Sequence, residues 1–110
     1  MIQIIERNGR ITVSGHANYK PTGEDIVCAA ISALPQTLAA SVEELTGTGI
    51  KCDLRRGNAV IEYEDLTEDA QLLVESFFIG AEGIAEAYPQ CVRIVRKDRP
   101  GVEVVKSNGR

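Results

Sequence analysis

The chain has 110 residues, 44% of them hydrophobic and 25% charged, with a net charge of −4 at pH 7. That length suits one domain with a sizeable core and is too short for two. The acidic balance argues against direct nucleic-acid binding, which calls for a basic patch.

In chain order, Ile2–Arg7 alternates apolar and polar residues, as a half-buried strand does. Asn8-Gly9 is a two-residue hairpin signal, and Arg10–Gly15 alternates again with Ile11 and Val13 inward. After the loop Ala17–Gly23, Thr22 is a helix N-cap with Asp25 three residues on as the capping-box acid. The first helix runs to about Glu44 and stops at Thr46-Gly47-Thr48-Gly49. Its apolar residues surround most of its circumference, which predicts a helix buried on most sides. Pro35 removes a backbone hydrogen bond within it, so a kink is expected near Ile31–Leu34.

Ile50–Arg55 and Ala59–Glu64 read as a second hairpin around Arg56-Gly57-Asn58, and the shared face of Ile50, Cys52 and Leu54 predicts a core position for Cys52. Thr67 caps a second helix, and Gly80, Gly83 and Ala87 in it are small enough for another helix to approach closely. Pro89 ends that helix, and Gln90–Lys97 is the last regular strand. The order strand-strand-helix-strand-strand-helix-strand is that of an α+β fold, with a mixed or antiparallel sheet of about five strands and two main helices. Residues 1–97 form a single domain in this reading, and 98–110 a partly disordered tail in which Val102–Val105 adds at most a short strand. Arg93, Arg96, Lys97 and Arg99 read as solvated surface charges.

The three cysteines include no Cys-x-x-Cys pair, and with a single histidine they lack structural-zinc spacing, so no metal or cofactor is expected. The N-terminus has no basic segment, and no run of about 18 apolar residues follows. The expectation is a cytoplasmic protein without membrane contact, whose Cys28, Cys52 and Cys91 stay reduced.

His16 and Cys28 carry the chemistry. His16 is the only histidine and follows Gly15 at a strand end; Cys28 lies twelve residues on, in the opening of the first helix. The positive end of a helix favours thiolate, and an imidazole brought against it completes a nucleophile pair suited to attack on an acyl carbon. A cysteine among Ile26, Val27 and Ala29 is more often a small buried hydrophobe than a nucleophile. Leu34 stands where a tyrosine-phosphatase loop needs arginine, which excludes that thiol enzyme. A non-catalytic ribosome-associated or assembly module that binds a peptide tail is the alternative to a hydrolase.

Gly15-His16-Ala17, the loop ending in Gly23, and Asp25-Ile26-Val27-Cys28-Ala29-Ala30 with Ser32 and Ala33 closely resemble the Prp family of ribosomal-processing cysteine proteases. Gly83-Ile84, Tyr88-Pro89 and Val92-Arg93-Ile94 extend the likeness over about residues 1–97. The resemblance implies that Cys28 is the nucleophile and His16 its acid/base partner, supported by Gly15, Asp25 and Ser32. Asp25 then either orients His16 or caps the helix, and Ser32 bonds either within the site or back to the Cys28 carbonyl. The linking loop borders the cleft, which makes Tyr19 and Gly23 candidates for the substrate groove; Lys20-Pro21 stiffens a loop that is usually richer in glycine. The implied substrate is the N-terminal extension of ribosomal protein twenty-seven of the large subunit, cut after an aromatic residue, or a phage capsid or scaffold protein. The resemblance also implies a homodimer, for which Phe77, Phe78 and the glycines of the second helix are a candidate contact; burial in the monomer core explains those residues equally well.

Overall fold

The computed structural model describes residues 1–15, 26–55 and 57–97 in full and 104–107 as backbone. Strands β1 (Ile2–Arg7) and β2 (Arg10–Ser14) meet at Asn8-Gly9, where φ is 52° and 73°. Both angles are positive, as the tight turn matching strand twist requires. The Tyr63 amide donates to the Gly9 carbonyl at 2.9 Å, and a Cβ on Gly9 would strike the Tyr63 carbonyl oxygen.

Helix α1 (Ile26–Ser41) passes into a π-helical turn, Val42–Thr46, closed by Gly47 at φ 68°. The hairpin β3 (Lys51–Arg55) and β4 (Asn58–Glu62) leads to α2 (Glu68–Ala87), then β5 (Val92–Arg96) and β6 (Val104–Ser107). Thr67 caps α2 as expected, its hydroxyl accepting from the Ala70 amide at 3.2 Å, with Glu68 and Asp69 beside the positive end of the dipole.

The strands form one sheet in the order β3-β4-β2-β1-β5-β6. β1 and β5 run parallel and every other neighbouring pair antiparallel, so the expected α+β fold with a mixed sheet stands. The sheet has a sixth strand, and β6 takes in Lys106 and Ser107, which the sequence reading left to a disordered end. One sheet face is apolar: Ile2 and Ile4, Ile11 and Val13, Ala59 and Ile61, Val92 and Ile94 are all buried there. Val27, Ile31 and Leu38 of α1 and Val74, Phe77 and Phe78 of α2 pack over that face. A fully buried Ile or Phe contributes ~1.5–3 kcal/mol, so this single layer dominates the stability.

Two expectations fail on this layer, and one open alternative is decided. Helix α1 lies on one side of the sheet rather than at a centre, and Ile26, Ala29, Ala33, Gln36, Thr37 and Ala40 face solvent. Its apolar circumference reflects small alanines rather than burial. Cys52 is exposed, because β3 is the edge strand of the sheet and all five of its residues stay exposed. Phe77 and Phe78 are core residues at 4% and 1% exposure, which removes them as a dimer contact. Gly80 does admit a close helix neighbour, since its Cβ position lies 3.2 Å from Leu34; Gly83 has nothing within 4 Å, and Ala87 is exposed.

Ile26–Thr46 is long and apolar enough by composition to cross a membrane, which the sequence reading did not anticipate. Here it packs as a core helix through Val27, Ile31, Leu38 and Val42.

Candidate active site

The Thr48 hydroxyl lies 3.4 Å from that of Thr67, so the C-terminal end of α1 meets the N-terminal end of α2. With Leu34 against Gly80 midway, the helices run antiparallel. Cys28 therefore sits beside the C-terminal end of α2, and it packs on the core together with Ile84 and Tyr88. That end of α2 leads through Cys91, whose carbonyl accepts from the Ile2 amide at 2.7 Å. The starts of β1, β5 and α1 and the end of β2 thus gather at one end of the sheet.

Cys28 occupies the third residue of α1 and is half-buried. The first turn of a helix leaves backbone N–H groups without helical partners and favours negative charge, so a thiol there is disposed to react as thiolate. Cys52 is exposed on a strand and Cys91 buried, and neither has a helix terminus of this kind. Ser32 lies one turn along, exposed, its backbone carbonyl accepting from the Gln36 side-chain Nε2 at 3.0 Å.

Gly15 follows the last residue of β2. Its φ is 97°, its amide donates to the Gly57 carbonyl at 3.0 Å, and a Cβ would strike the Met1 carbonyl oxygen. Only glycine meets both demands. Met1 and Gly57 are positioning partners that the sequence reading did not single out; the glycine in the second hairpin loop was the available signal. His16, Tyr19, Gly23 and Asp25, with the Thr22 cap, lie outside the described residues. Among the described residues no group of His, Cys, Asp and Glu is placed to hold a metal ion. A depression lined by Ile5, Arg7, Arg10, Thr12 and Glu62 opens on the opposite sheet face and contains none of the candidate residues.

At the other end of the sheet, Arg96 is buried rather than solvated, at 3% exposure. Its Nε donates to Glu6 at 2.7 Å, and its Nη1 and Nη2 donate to Glu75 at 3.0 and 2.7 Å. The Tyr63 hydroxyl donates to Glu6 at 3.3 Å, and the guanidinium carbon stands 3.9 Å from the Phe78 ring centre. Burial works against the guanidinium charge, but the hydrogen bonds to Glu75 and Glu6 and the charges of both carboxylates outweigh it and hold Arg96 above the usual arginine value. Strand parity explains the placement: Glu6 continues the inward column Ile2-Ile4, and Arg96 the column Val92-Ile94 in register with it.

A family model described as Cysteine protease Prp matches residues 1–93. The ribosomal processing cysteine protease Prp of Staphylococcus aureus is 30% identical over 99 residues, which cover 82% of this chain and 91% of that protein. The protein of the same description from Bacillus subtilis is 27% identical over 89 residues, covering 74% and 80%. In structure, the chain is similar to the Staphylococcus aureus protease solved with a covalently linked product peptide, with a TM-score of 0.77, 24% identity, and coverage of 87% of this chain and 97% of that one.

Proposed function

The chain belongs to the Prp family of cysteine proteases, and from that premise we propose that Cys28 is its nucleophile and His16 the acid/base partner. Membership sets aside the non-catalytic tail-binding module and leaves the roles of individual residues to be assigned. One observation carries the assignment. Of the three thiols, Cys28 alone lies in the first turn of a helix, at the end of the sheet where β2 gives way to Gly15.

The chemistry then runs in two stages. His16 takes the thiol proton as Cys28 attacks the scissile carbonyl, and returns it to the leaving amine. Amides at the start of α1 stabilise the tetrahedral oxyanion. Water activated by His16 hydrolyses the thioester and frees the thiol. Asp25 orients His16 or caps α1, Ser32 borders the thiol one turn away, and Tyr19 and Gly23 lie in the loop that faces substrate.

The substrate we propose is a short N-terminal extension of a large-subunit ribosomal protein, ribosomal protein twenty-seven, cleaved after an aromatic residue in the cytoplasm. The description of the relatives as ribosomal processing proteases supports this over a phage structural protein, and the peptide in the Staphylococcus aureus structure supports a peptide-binding groove. A homodimer is part of the same proposal.

Mass spectrometry of a peptide whose apolar run ends in an aromatic residue tests the site. Cys28→Ala, Cys28→Ser and His16→Ala each abolish cleavage, and the Cys28→Ala/His16→Ala double variant is hardly worse than either single, because the two act as one unit. Robust cleavage by purified Cys28→Ala overturns the assignment.

A further inference from the structure

The free edge of β3 carries a pattern that fits a second copy of itself. The Tyr63 amide donates to the Gly9 carbonyl and the Gly15 amide to the Gly57 carbonyl, so the odd-numbered residues along β4 turn their backbone groups toward β2. The even-numbered residues Asn58, Val60 and Glu62 therefore turn toward β3, where they meet Arg55, Asp53 and Lys51. This leaves the N–H and C=O groups of Cys52 and Leu54 aimed at the open edge. Among the described residues no strand pairs with that side.

The same residues are bare on the helix-bearing face. Cys52 and Leu54 stand opposite Ile61 and Ala59, which are buried at 2% and 7% exposure, yet Leu54 itself is 39% exposed. Ile50, just before the strand, is partly buried against the core. An unpaired edge with uncovered apolar side chains is a template for another strand.

We propose that two copies of this chain pair antiparallel along β3 about a two-fold axis at Cys52, joining two six-stranded sheets. This rests on the homodimer of the proposed function and names its surface. Keeping the helices of both copies on one side of the joined sheet requires the axis to pass through a residue. An axis at Cys52 sets Lys51 opposite Asp53 of the second copy, and Ile50 opposite Leu54, twice each by symmetry. The backbone groups of Cys52 and Leu54 are then spent on the second copy. An axis at Asp53 instead sets Asp53 against Asp53 and Lys51 against Arg55, which is like against like. An axis at Leu54 runs past Arg55, where the chain turns back into β4, and shortens the pairing. Asp53 already holds Arg55 at 3.0 Å, so it would lie between two cations.

Sedimentation velocity of the full chain under reducing conditions tests the register. Wild type is expected as a dimer, and Lys51→Asp and Asp53→Lys each to weaken association roughly tenfold or more, since each turns two attractive pairs into repulsive ones. Mixing the two variants restores the dimer, because position 51 of each copy then faces a position 53 of opposite charge on the other. In Cys28→Ala protein, diamide should draw two electrons and two protons from the paired Cys52 thiols and leave a covalent dimer that Cys52→Ser abolishes. A dimer indifferent to both reversals, or a mixture that stays apart, overturns this surface and leaves the homodimer standing. A wild-type monomer overturns both. Peptide cleavage is read separately: Cys28→Ala should remove it with the dimer intact.

Discussion

The two ends of this sheet treat polar chemistry in opposite ways. At the turn end, Glu6 and Arg96 are each 3% exposed and bonded to one another, to Glu75 and to Tyr63. At the opposite end, Cys28 is half-buried in the first turn of α1. A buried charge is tolerated only when its bonds are complete, and completeness makes that end rigid and inert. A reacting thiol needs a carbonyl carbon to reach it, which requires access. One end thus carries stability and the other, in the proposed function, chemistry, with the apolar layer of Ile4, Ile11 and Ile94 between them.

The largest expected effect breaks the ends apart outright. Cys28→Ala should remove peptide cleavage completely and leave the thermal midpoint nearly unchanged, because replacing a small thiol leaves only a minor cavity. Iodoacetamide, followed by mass spectrometry across pH, should modify Cys28 faster than the exposed Cys52 near neutral pH. Cys52 reacting first would remove the argument from the helix terminus.

Arg96→Ala should do the reverse. It strands the Glu6 carboxylate in the core, at a cost of about 3–5 kcal/mol. In a domain of this size each kcal/mol moves Tm by roughly 4–8 °C. Below the lowered midpoint, cleavage per folded molecule should match wild type. Because the folded-state value of Arg96 is raised, its stabilisation is present below the ordinary arginine value and is lost only as pH climbs past the raised one. No working pH removes the charge, so only substitution tests it. A small loss of Tm would show that Glu6 finds water or another partner.

How far these ends were legible in the sequence differs for a physical reason. The site end reads from local signals: strand and helix patterns put Gly15 after β2 and Cys28 in the first turn of α1 without knowledge of the sheet, while His16 lies outside the described residues. The Thr67 cap and the Asn8-Gly9 turn were readable on the same terms. The buried ion pair joins residues 90 positions apart. Strand periodicity alone puts Glu6 on the inward face, but only the parallel register of β1 with β5 brings Arg96 opposite it. Cys52 failed likewise. Alternation correctly gave it the helix-bearing face, yet how well that face is covered depends on β3 being the edge strand, and strand order is not a local property.

Gly15→Ala tests whether the site end is itself pre-shaped. An alanine at φ 97° costs about 1–3 kcal/mol and meets the Met1 carbonyl. Relief of that strain should alter the backbone leading to the proposed acid/base residue, so cleavage falls further than the loss of folded protein explains. Circular dichroism melts and cleavage rates on the same samples separate the two. A fall in Tm with unchanged kcat/KM would make Gly15 a fold residue only.

The smallest effect compares two glycines three residues apart on α2, where it passes α1. At Gly83 a Cβ meets nothing within 4 Å, and its φ lies outside the left-handed range. Gly83→Ala should therefore stabilise the protein by about 0.5–1 kcal/mol, the difference between glycine and alanine in a helix interior. At Gly80 the added Cβ would stand 3.2 Å from the Leu34 Cδ2, a flexible side chain that has to give by a few tenths of an ångström. Helix propensity and crowding then oppose each other, and Gly80→Ala should fall below Gly83→Ala in Tm. Leu34 lies on α1 between Cys28 and Thr48, so a shift of the helix seam at Gly80 would also alter cleavage, whereas Gly83→Ala should leave it unchanged. If Gly83→Ala destabilises the fold or slows cleavage, that exposed notch is filled by something the isolated chain does not supply. The helix face near Cys28 would then belong to the site rather than to the scaffold.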